Sequence, residues 1–231
     1  MNRYSRQLSM PEIGLEGQKR LNTSKVLIIG AGGLGSPVAL YLTAAGVGTL
    51  GIIDYDSISE SNLNRQILYT ENNIGQPKVN IAAQHLKALN SNINIVTYAE
   101  HLTRNNYNRA LEIISNYDIV VDACDNMPTR YLVSDIADKL SIPFVYGAME
   151  GFCGYISVFN DNAHYVRFRD LWPEESIDTQ LNIPAIGVTA GVIGSLQAVE
   201  AIKNICHIDN RLAGKLLTID LLNMDFHVIE L

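Results

Sequence analysis

The chain has 231 residues, of which 47% are apolar, and carries a formal net charge of -7. This length suits one large domain or two small ones, and a single compact α/β domain is the default expectation. Because the charged residues form no basic run or stripe, we exclude a nucleic acid as the primary partner.

The N-terminal segment and the cysteines indicate where the protein works. Residues 1–14 are polar and charged, and no apolar stretch approaches the roughly 18 to 20 residues that span a bilayer, so we expect no contact with a membrane. Cys124, Cys153 and Cys206 are far apart in sequence and predict neither a disulfide framework nor a C-x-x-C metal pair. A reducing cytoplasm fits this cysteine usage best.

Short apolar runs alternate with helical stretches through the first 146 residues. The predicted strands are 25–29, 49–53, 93–97, 119–122 and 144–146, and the predicted helices are 34–45, 78–89, 105–116 and 128–140. This alternation predicts an α/β fold with a Rossmann-like, doubly wound and mostly parallel sheet. Further runs at 155–159, 216–219 and 226–229 predict antiparallel C-terminal strands around a long helix at 187–205.

The stretch between these two parts is expected to be a mobile crossover loop near residues 160–186. It is polar, contains Pro173 and Pro184, and shows no sustained hydrophobic period. A loop longer than about 15 residues without its own structure is usually functional or disordered. We therefore expect one domain, residues 1–231, in which this loop lies over the site.

A glycine-rich turn follows the first predicted strand and opens the first helix. Its glycines are Gly30, Gly32, Gly33 and Gly35. In this context, glycines let the backbone approach phosphate, and the helix N-terminus supplies N–H groups and partial positive charge. Asp54 ends the second strand and is placed to accept from ribose hydroxyls. The alternative is a tight turn that binds nothing, and these features alone do not separate NAD from ATP.

Three further clusters favour ATP. Residues 61–66 (SNLNRQ) place Arg65 beyond the second strand, where it can neutralise phosphate, and Lys78 stands at a helix start, where a cation needs an anion beside it. Asp125 and Asn126 follow the strand that ends at 122, in the motif Asp-Asn-x-x-x-Arg that ends at Arg130. Asp125 is placed to hold Mg²⁺, while each residue alone has an ordinary explanation, such as a helix cap or a surface charge.

The chain resembles the ThiF/MoeB/HesA family, bacterial relatives of the ubiquitin-activating enzymes. The resemblance runs from Arg3-Tyr4-Ser5-Arg6-Gln7 through the glycine loop, Asp54-Tyr55-Asp56, residues 61–66, Gln76-Pro77-Lys78 and Asp125-Asn126 to the helix at 194–203. It implies a Mg²⁺-dependent adenylyltransferase that activates the C-terminal glycine of a ubiquitin-like sulfur-carrier protein, of the ThiS or MoaD type, ending in Gly-Gly. The pathway, thiamine or molybdopterin synthesis, stays open.

The resemblance also implies a set of site residues. Arg6 would reach in from a partner subunit of a homodimer, and Arg6, Arg65, Lys78 and Asp125 would be catalytic. The ATP site would consist of Gly30, Gly32, Gly33, Gly35, Asp54, Asp56, Ser61, Asn62, Asn64, Arg65, Gln66, Lys78, Asp125 and Asn126, with Asp125 also serving Mg²⁺.

Two departures from the family bear on metal and sulfur chemistry. Many relatives hold zinc with two C-x-x-C pairs, but the matching stretch here is His164-Tyr165-Val166-Arg167, so we expect no structural zinc. Residues 176–190 contain no cysteine where many relatives carry one for covalent chemistry. We expect Cys153 and Cys206 to be core thiols and the thiolate of Cys124 to be disfavoured by Asp125, so that a separate protein donates the sulfur.

Other readings of the sequence stay open. A nicotinamide-dependent oxidoreductase would share the glycine loop and Asp54, but would leave Arg65, Lys78 and Asp125 unexplained. A nucleotide-binding scaffold without catalysis is the second alternative, and adenylation of a carboxylated tRNA base is the third, disfavoured by a pI of about 5.2. The aromatic and arginine residues at 165–172 are candidates for docking a carrier, or for packing the crossover onto the sheet.

Overall fold

A computed structural model describes residues 3–162, 164–173, 183–209 and 211–231. The strands in these ranges form one sheet of eight. They are β1 (Lys25–Ile29), β2 (Thr49–Ile53), β3 (Asn94–Tyr98), β4 (Ile119–Asp122), β5 (Phe144–Glu150), β6 (Cys153–Phe159), β7 (Lys215–Asp220) and β8 (Asp225–Glu230).

The strand order is β3-β2-β1-β4-β5-β6-β7-β8. Strands β3, β2, β1, β4 and β5 pair in parallel, whereas β5 to β8 pair antiparallel. The predicted doubly wound sheet with antiparallel C-terminal strands is therefore confirmed. The order reverses at β1, between β2 and β4, and in such sheets ligands bind at the carboxyl ends of the strands beside this point.

Helices cover both faces of the sheet. They are α1 (Ser5–Leu8), α2 (Gly14–Thr23), α3 (Gly35–Ala45), α4 (Lys78–Leu89), α5 (Tyr107–Ile114), α6 (Met127–Lys139), α7 (Phe168–Leu171) and α8 (Gly187–Cys206). Single 3₁₀ turns occur at Glu60–Asn62, Glu71–Asn73 and Arg104–Asn106. No helix in the described ranges combines the length and the apolar character that crossing a membrane requires.

The alternating side chains of β1 join two separate hydrophobic cores. Val26 and Ile28 lie in the core that the sheet forms with α3, α4 and α8. Leu27 and Ile29 lie in the core formed with α5 and α6. Because both faces of the central strands are buried, these strands are apolar apart from end residues such as Lys25 and Asp122, which is why the short runs could be recognised in the sequence.

The N-terminal segment forms two helices that the sequence did not predict, and it packs against the C-terminal ends of α3 and α4. The Gln7 amide donates to the Ala45 carbonyl at 3.1 Å, and Arg3 donates to the Leu89 carbonyl at 2.8 Å. Helix α3 starts at the glycine loop and, at 1.5 Å per residue, runs for about 16 Å. Arg6, next to Gln7, therefore lies at the opposite edge of the sheet from the glycine loop of its own chain.

The predicted crossover contains a short helix, α7, which packs onto the sheet. Phe168 is buried, and the Arg169 guanidinium pairs with the Asp135 carboxylate on α6 at 2.5 Å. On its far side the chain returns at Ala185, which forms a parallel bridge with Gly151. Residues 174–182, at the centre of the predicted loop, lie outside the described residues.

Candidate functional site

A cavity of about 380 Å³ opens at the carboxyl ends of β1, β2 and β4. Its floor is the glycine loop after β1, and its walls come from the loops after β2, β3 and β4. Ile183 and Ala185, at the end of the predicted crossover, also line it. The cavity therefore lies at the point where the strand order reverses, the expected position of a ligand.

Most of the residues predicted from the sequence line this cavity. They are Gly30, Gly32, Gly33, Asp54, Asp56, Arg65, Gln66, Lys78, Asp125 and Asn126. The described lining does not include Arg6, Gly35, Ser61, Asn62 or Asn64. The fold thus brings residues that are up to 96 positions apart, from Gly30 to Asn126, to one cavity.

The glycine loop is held in place by hydrogen bonds on both sides of Ala31. The Ala31 N–H donates to Asp54 Oδ2 at 2.8 Å, and the Tyr69 hydroxyl donates to the Ala31 carbonyl at 2.8 Å. Gly30 has a φ of +98°, and a Cβ there would lie 2.6 Å from the Ala123 carbonyl oxygen. Only glycine fits at this position, and the loop is pre-shaped to present backbone N–H groups at the start of α3.

Asp54, Asp56 and Lys78 form a charged cluster on one wall. The Lys78 ammonium lies 2.7 Å from Asp56 Oδ2 and 3.9 Å from Asp54 Oδ2. Burial raises the pKa of Asp54 above its ordinary value, an effect that Lys78 and the N–H groups of Ala31 and Asp56 partly offset. The anion that the sequence predicted beside Lys78 at the helix start is, in this structure, a carboxylate of the chain itself.

Residues 61–66 hold Arg65 and Gln66 at the cavity. The Arg65 guanidinium donates to the Ser61 carbonyl at 2.8 Å and to Asn64 Oδ1 at 3.0 Å, whereas Asn62 Oδ1 accepts the Ser59 N–H at 3.0 Å. Ser61, Asn62 and Asn64 therefore shape the loop and position Arg65. Gln66 is 4% exposed, and its buried Oε1 has no hydrogen-bond partner among the described residues. A buried orphan acceptor beside the glycine loop is typical of a ligand site.

Asp125 and Asn126 lie between β4 and α6. Asn126 caps α6, since its Oδ1 accepts the Thr129 N–H at 2.9 Å. Asn126 is therefore the helix cap that the sequence offered as its ordinary role, and it also lines the cavity. Asp125 is exposed to the cavity, where it can act as one carboxylate ligand for a magnesium ion that also binds phosphate oxygens.

A buried ion pair between Arg130 and Asp122 holds the loop between β4 and α6 in place. The Arg130 guanidinium lies 2.6 Å from Asp122 Oδ2 and donates to the carbonyls of Cys124 at 2.8 Å and Gly147 at 3.2 Å. Sequence reasoning placed Arg130 in a motif but assigned it no partner, and Asp122 was read only as the end of a strand. The signal that was missed is an aspartate at the end of a buried strand with an arginine eight residues later, in the first turn of the next helix.

The cysteines differ from expectation in two respects. The pKa of the Cys124 thiol lies well above its ordinary value because of burial first and the Asp122 carboxylate second, and not because of Asp125. Cys153 is exposed at the start of β6 and is not a core thiol, whereas Cys206 is buried as expected. Within the described ranges, no three His, Cys, Asp or Glu side chains converge as metal ligands.

The sequence matches the model of the ThiF family over residues 4–231. The sulfur carrier protein adenylyltransferase of Thermus thermophilus is 43% identical over 234 residues, which cover 98% of this chain and 85% of that protein. The adenylyltransferase and sulfurtransferase MOCS3 of Arabidopsis thaliana is 44% identical over 232 residues. That match covers 99% of this chain and 49% of MOCS3, so the chain spans about half the length of this relative.

Solved structures share the fold over the whole chain. PaaA superposes with a TM-score of 0.85 at 26% identity, covering 99% of this chain and 72% of that one. Escherichia coli MccB, in a structure with ATP, superposes with a TM-score of 0.84 at 24% identity, covering 100% of this chain and 71% of that one. At this identity the MccB structure establishes a common fold only.

Proposed function

The chain belongs to the ThiF family, and on that premise we propose that it transfers the adenylyl group of ATP to the C-terminal glycine carboxylate of a ubiquitin-like sulfur-carrier protein. The observation that carries this proposal is the convergence of the glycine loop, Asp54, Arg65, Lys78 and Asp125 on one cavity. The sulfur carrier protein adenylyltransferase from Thermus, similar over nearly the full chain, supports the same reaction.

The residues present fit ATP and magnesium. The glycine loop presents backbone N–H groups at the start of α3, and the buried Oε1 of Gln66 beside it has no hydrogen-bond partner among the described residues. Asp54 would accept from the ribose, while Arg65 and Lys78 would neutralise the phosphates. Asp125 would hold Mg²⁺, which, when bound, disperses negative charge on the departing pyrophosphate.

The chemistry requires alignment more than proton transfer. A C-terminal carboxylate, with a reference pKa of roughly 3.5, is already ionised at neutral pH. One of its oxygens attacks the α-phosphorus, the bond to the bridging oxygen of the β-phosphate breaks, and pyrophosphate leaves with the electron pair. Two anions must be held together for this step, so cations at the phosphates contribute most of the stabilisation, and no general base is needed.

A second cavity, of about 540 Å³, suits the tail of the carrier. It lies on the face of β5 to β8 and shares Ala148, Met149 and Ile183 with the first cavity. Tyr155 and Trp172 are among its walls. An extended chain lying there would place its terminal carboxylate in the first cavity, beside the α-phosphate. The sequence suggested that residues 165–172 either dock the carrier or pack the crossover onto the sheet. Trp172 packs on Phe168 and also lines the second cavity, so it is available for both roles.

A homodimer would complete the site. Arg6 lies at the far edge of its own sheet, so it can reach only the cavity of another copy. Helix α8 has an uncharged face along Val188, Val192, Ser195 and Val199, in which Val188 is 64% and Val199 46% exposed and the other two are half-buried. An exposed apolar face of this kind favours a protein interface.

The chemistry of this chain would end at the acyl-adenylate. Of the three cysteines, only Cys124 lines the first cavity, and it is buried with a raised pKa that keeps its thiol protonated. Cys206 is buried elsewhere, and Cys153 lies at the start of β6. A separate protein would supply the sulfur. The free thiols of all three cysteines support a reducing compartment such as the cytoplasm.

The test is ATP–pyrophosphate exchange with Mg²⁺, with and without a purified carrier that ends in Gly-Gly. We expect exchange only with the carrier, loss of exchange with a carrier lacking its last glycine, and a loss of at least about a hundredfold in Asp125→Ala. Trp172 is the single tryptophan, so carrier binding should also change the intrinsic fluorescence. Full Mg²⁺-dependent exchange in Asp125→Ala, or no exchange with any carrier despite ATP binding, would overturn the proposal.

A further inference from the structure

The ion pair between Lys78 and Asp56 is unequal in burial. The Lys78 side chain is 5% exposed, whereas the Asp56 side chain is 46% exposed. A buried ammonium that keeps its charge needs an anion nearby, because leaving it unpaired carries a large desolvation penalty. A half-exposed carboxylate can return to water with little loss. The two partners are therefore not equivalent: Lys78 depends on this short contact, with Asp54 Oδ2 farther away at 3.9 Å, whereas Asp56 does not depend on it.

Backbone pairing places the two residues opposite each other. Ser57 and Pro77 form an antiparallel bridge, the Ile58 N–H donates to the Gln76 carbonyl at 2.9 Å, and the Lys78 N–H donates to the Asp56 carbonyl at 3.0 Å. This short ladder fixes the backbone of Lys78 beside that of Asp56, and the contact with the half-exposed Asp56 carboxylate holds the ammonium at the cavity wall. The lysine is thus positioned before any ligand enters.

The charges around the cavity oppose a polyphosphate in this arrangement. Glu100 is paired with Arg109 and Arg130 with Asp122. The remaining described lining carries three carboxylates, on Asp54, Asp56 and Asp125, and two cations, on Arg65 and Lys78. An entering triphosphate would compete with Asp56 for the same ammonium, since both need the short contact with Lys78 Nζ.

We propose that Asp56 is a placeholder anion, which holds the buried Lys78 charged and in position and is exchanged for a phosphate oxygen when the nucleotide binds. Asp56 is then a positioning residue that weakens nucleotide affinity while it stabilises the unliganded site. This role rests on the proposed function, and it differs from the direct contact with ATP that the family resemblance implies for Asp56.

The test compares ATP affinity and stability in Asp56→Asn with those of the wild type. The dissociation constant of MgATP, measured by calorimetric titration without any carrier, should fall about three- to tenfold, because the competing charge is gone. Without ATP the variant should melt at a lower temperature, and saturating ATP should raise its melting temperature by more than it raises that of the wild type. A weaker affinity would overturn the proposal, since it is the result expected of a residue that contacts ATP or merely supports Lys78.

Asp135→Asn is the matched control. The Asp135 side chain is 41% exposed and pairs with Arg169 at 2.5 Å outside the cavity, so its loss should leave the ATP affinity unchanged. A crystal structure of the wild type with ATP provides a second test that requires no variant to fold. Lys78 Nζ should lie beyond 4 Å from Asp56 Oδ2 and within hydrogen-bond distance of a phosphate oxygen. A Lys78–Asp56 contact that persists with ATP bound would overturn the placeholder role of Asp56, whatever the pyrophosphate assay shows. A failure of carrier-dependent pyrophosphate exchange alone would refute only the adenylation reaction.

Discussion

Replacing Arg130 with methionine should remove the support of the loop that carries Asp125. The substitution leaves the buried Asp122 carboxylate without its cation and the carbonyls of Cys124 and Gly147 without their donor. Breaking a buried pair from one side typically costs about 3–5 kcal/mol of stability. The ionic part of this loss has an upper limit, because the buried Asp122 carboxylate can take up a proton instead of staying charged. At pH 7, protonating a carboxyl of reference pKa about 3.9 costs about 4 kcal/mol, so the ionic part cannot exceed this value.

The same reasoning gives the loss a pH dependence. Burial already raises the pKa of Asp122 in the wild type, and Arg130 counteracts the rise. In Arg130→Met the folded-state pKa rises further above the unfolded value. Such a group contributes stability below the unfolded pKa and loses it as the pH rises. Relative to the wild type, the variant should therefore become more stable as the pH falls from 7 to 5, by at most about 1.4 kcal/mol for each pH unit.

Urea denaturation at pH 5, 6 and 7 measures both effects. The control is the double variant Arg130→Met/Asp122→Asn, in which an amide replaces the carboxylate and can still accept the Cys124 N–H. We expect it to be more stable than Arg130→Met at pH 7 and to lack the additional pH slope. A loss below about 1 kcal/mol in the single variant, or a pH dependence parallel to that of the wild type, would refute the assignment of an uncompensated buried charge.

Two further predictions concern the wall of the cavity and the second copy of the chain. Because burial raises the pKa of Asp54, Asp54→Asn should stabilise the nucleotide-free protein in thermal denaturation more at pH 7 than at pH 4, since the lower pH favours the neutral form of the wild-type carboxyl, and it should weaken ATP binding. Arg6→Ala and Lys78→Ala should each be inactive alone, whereas dimers re-formed from an equal mixture should regain about a quarter of wild-type exchange, since one site per mixed dimer is intact. No recovery despite proven subunit exchange would contradict a shared site.

The parts of the fold that could be predicted from the sequence are those with a local cause. The runs at 25–29, 49–53 and 119–122 match β1, β2 and β4 residue for residue, because parallel strands buried on both faces are nearly continuous apolar runs. The antiparallel strands proved longer than predicted: β5 reaches Glu150 where the prediction ended at 146, because its outer half is only partly buried and its sequence is correspondingly mixed.

Helices α1 and α2 could not be predicted in the same way. They are short or polar, and they are stabilised by long-range contacts such as the Gln7 amide on the Ala45 carbonyl, 38 residues away. Within the site, the glycine loop could be predicted because its glycine pattern directly follows a strand and opens a helix. The partner of Lys78 and the pairing of Arg130 with Asp122 did not, because an ion pair depends on side-chain geometry that only the assembled sheet provides.

Three residues of the cavity depart from the residue types that local rules of folding favour. Gly30 has a positive φ that glycine adopts without strain, Lys78 is buried at a helix N-terminus where the dipole disfavours it, and Asp54 ends a buried strand with its pKa raised by burial. Burying Lys78 and Asp54 lowers the stability of the unliganded protein relative to apolar residues, whereas Gly30 is the residue that its backbone conformation requires. Such departures persist where function requires them. An anion at the glycine loop would complement Lys78, and a sugar hydroxyl would complement Asp54, so these two buried charges support the proposed nucleotide site.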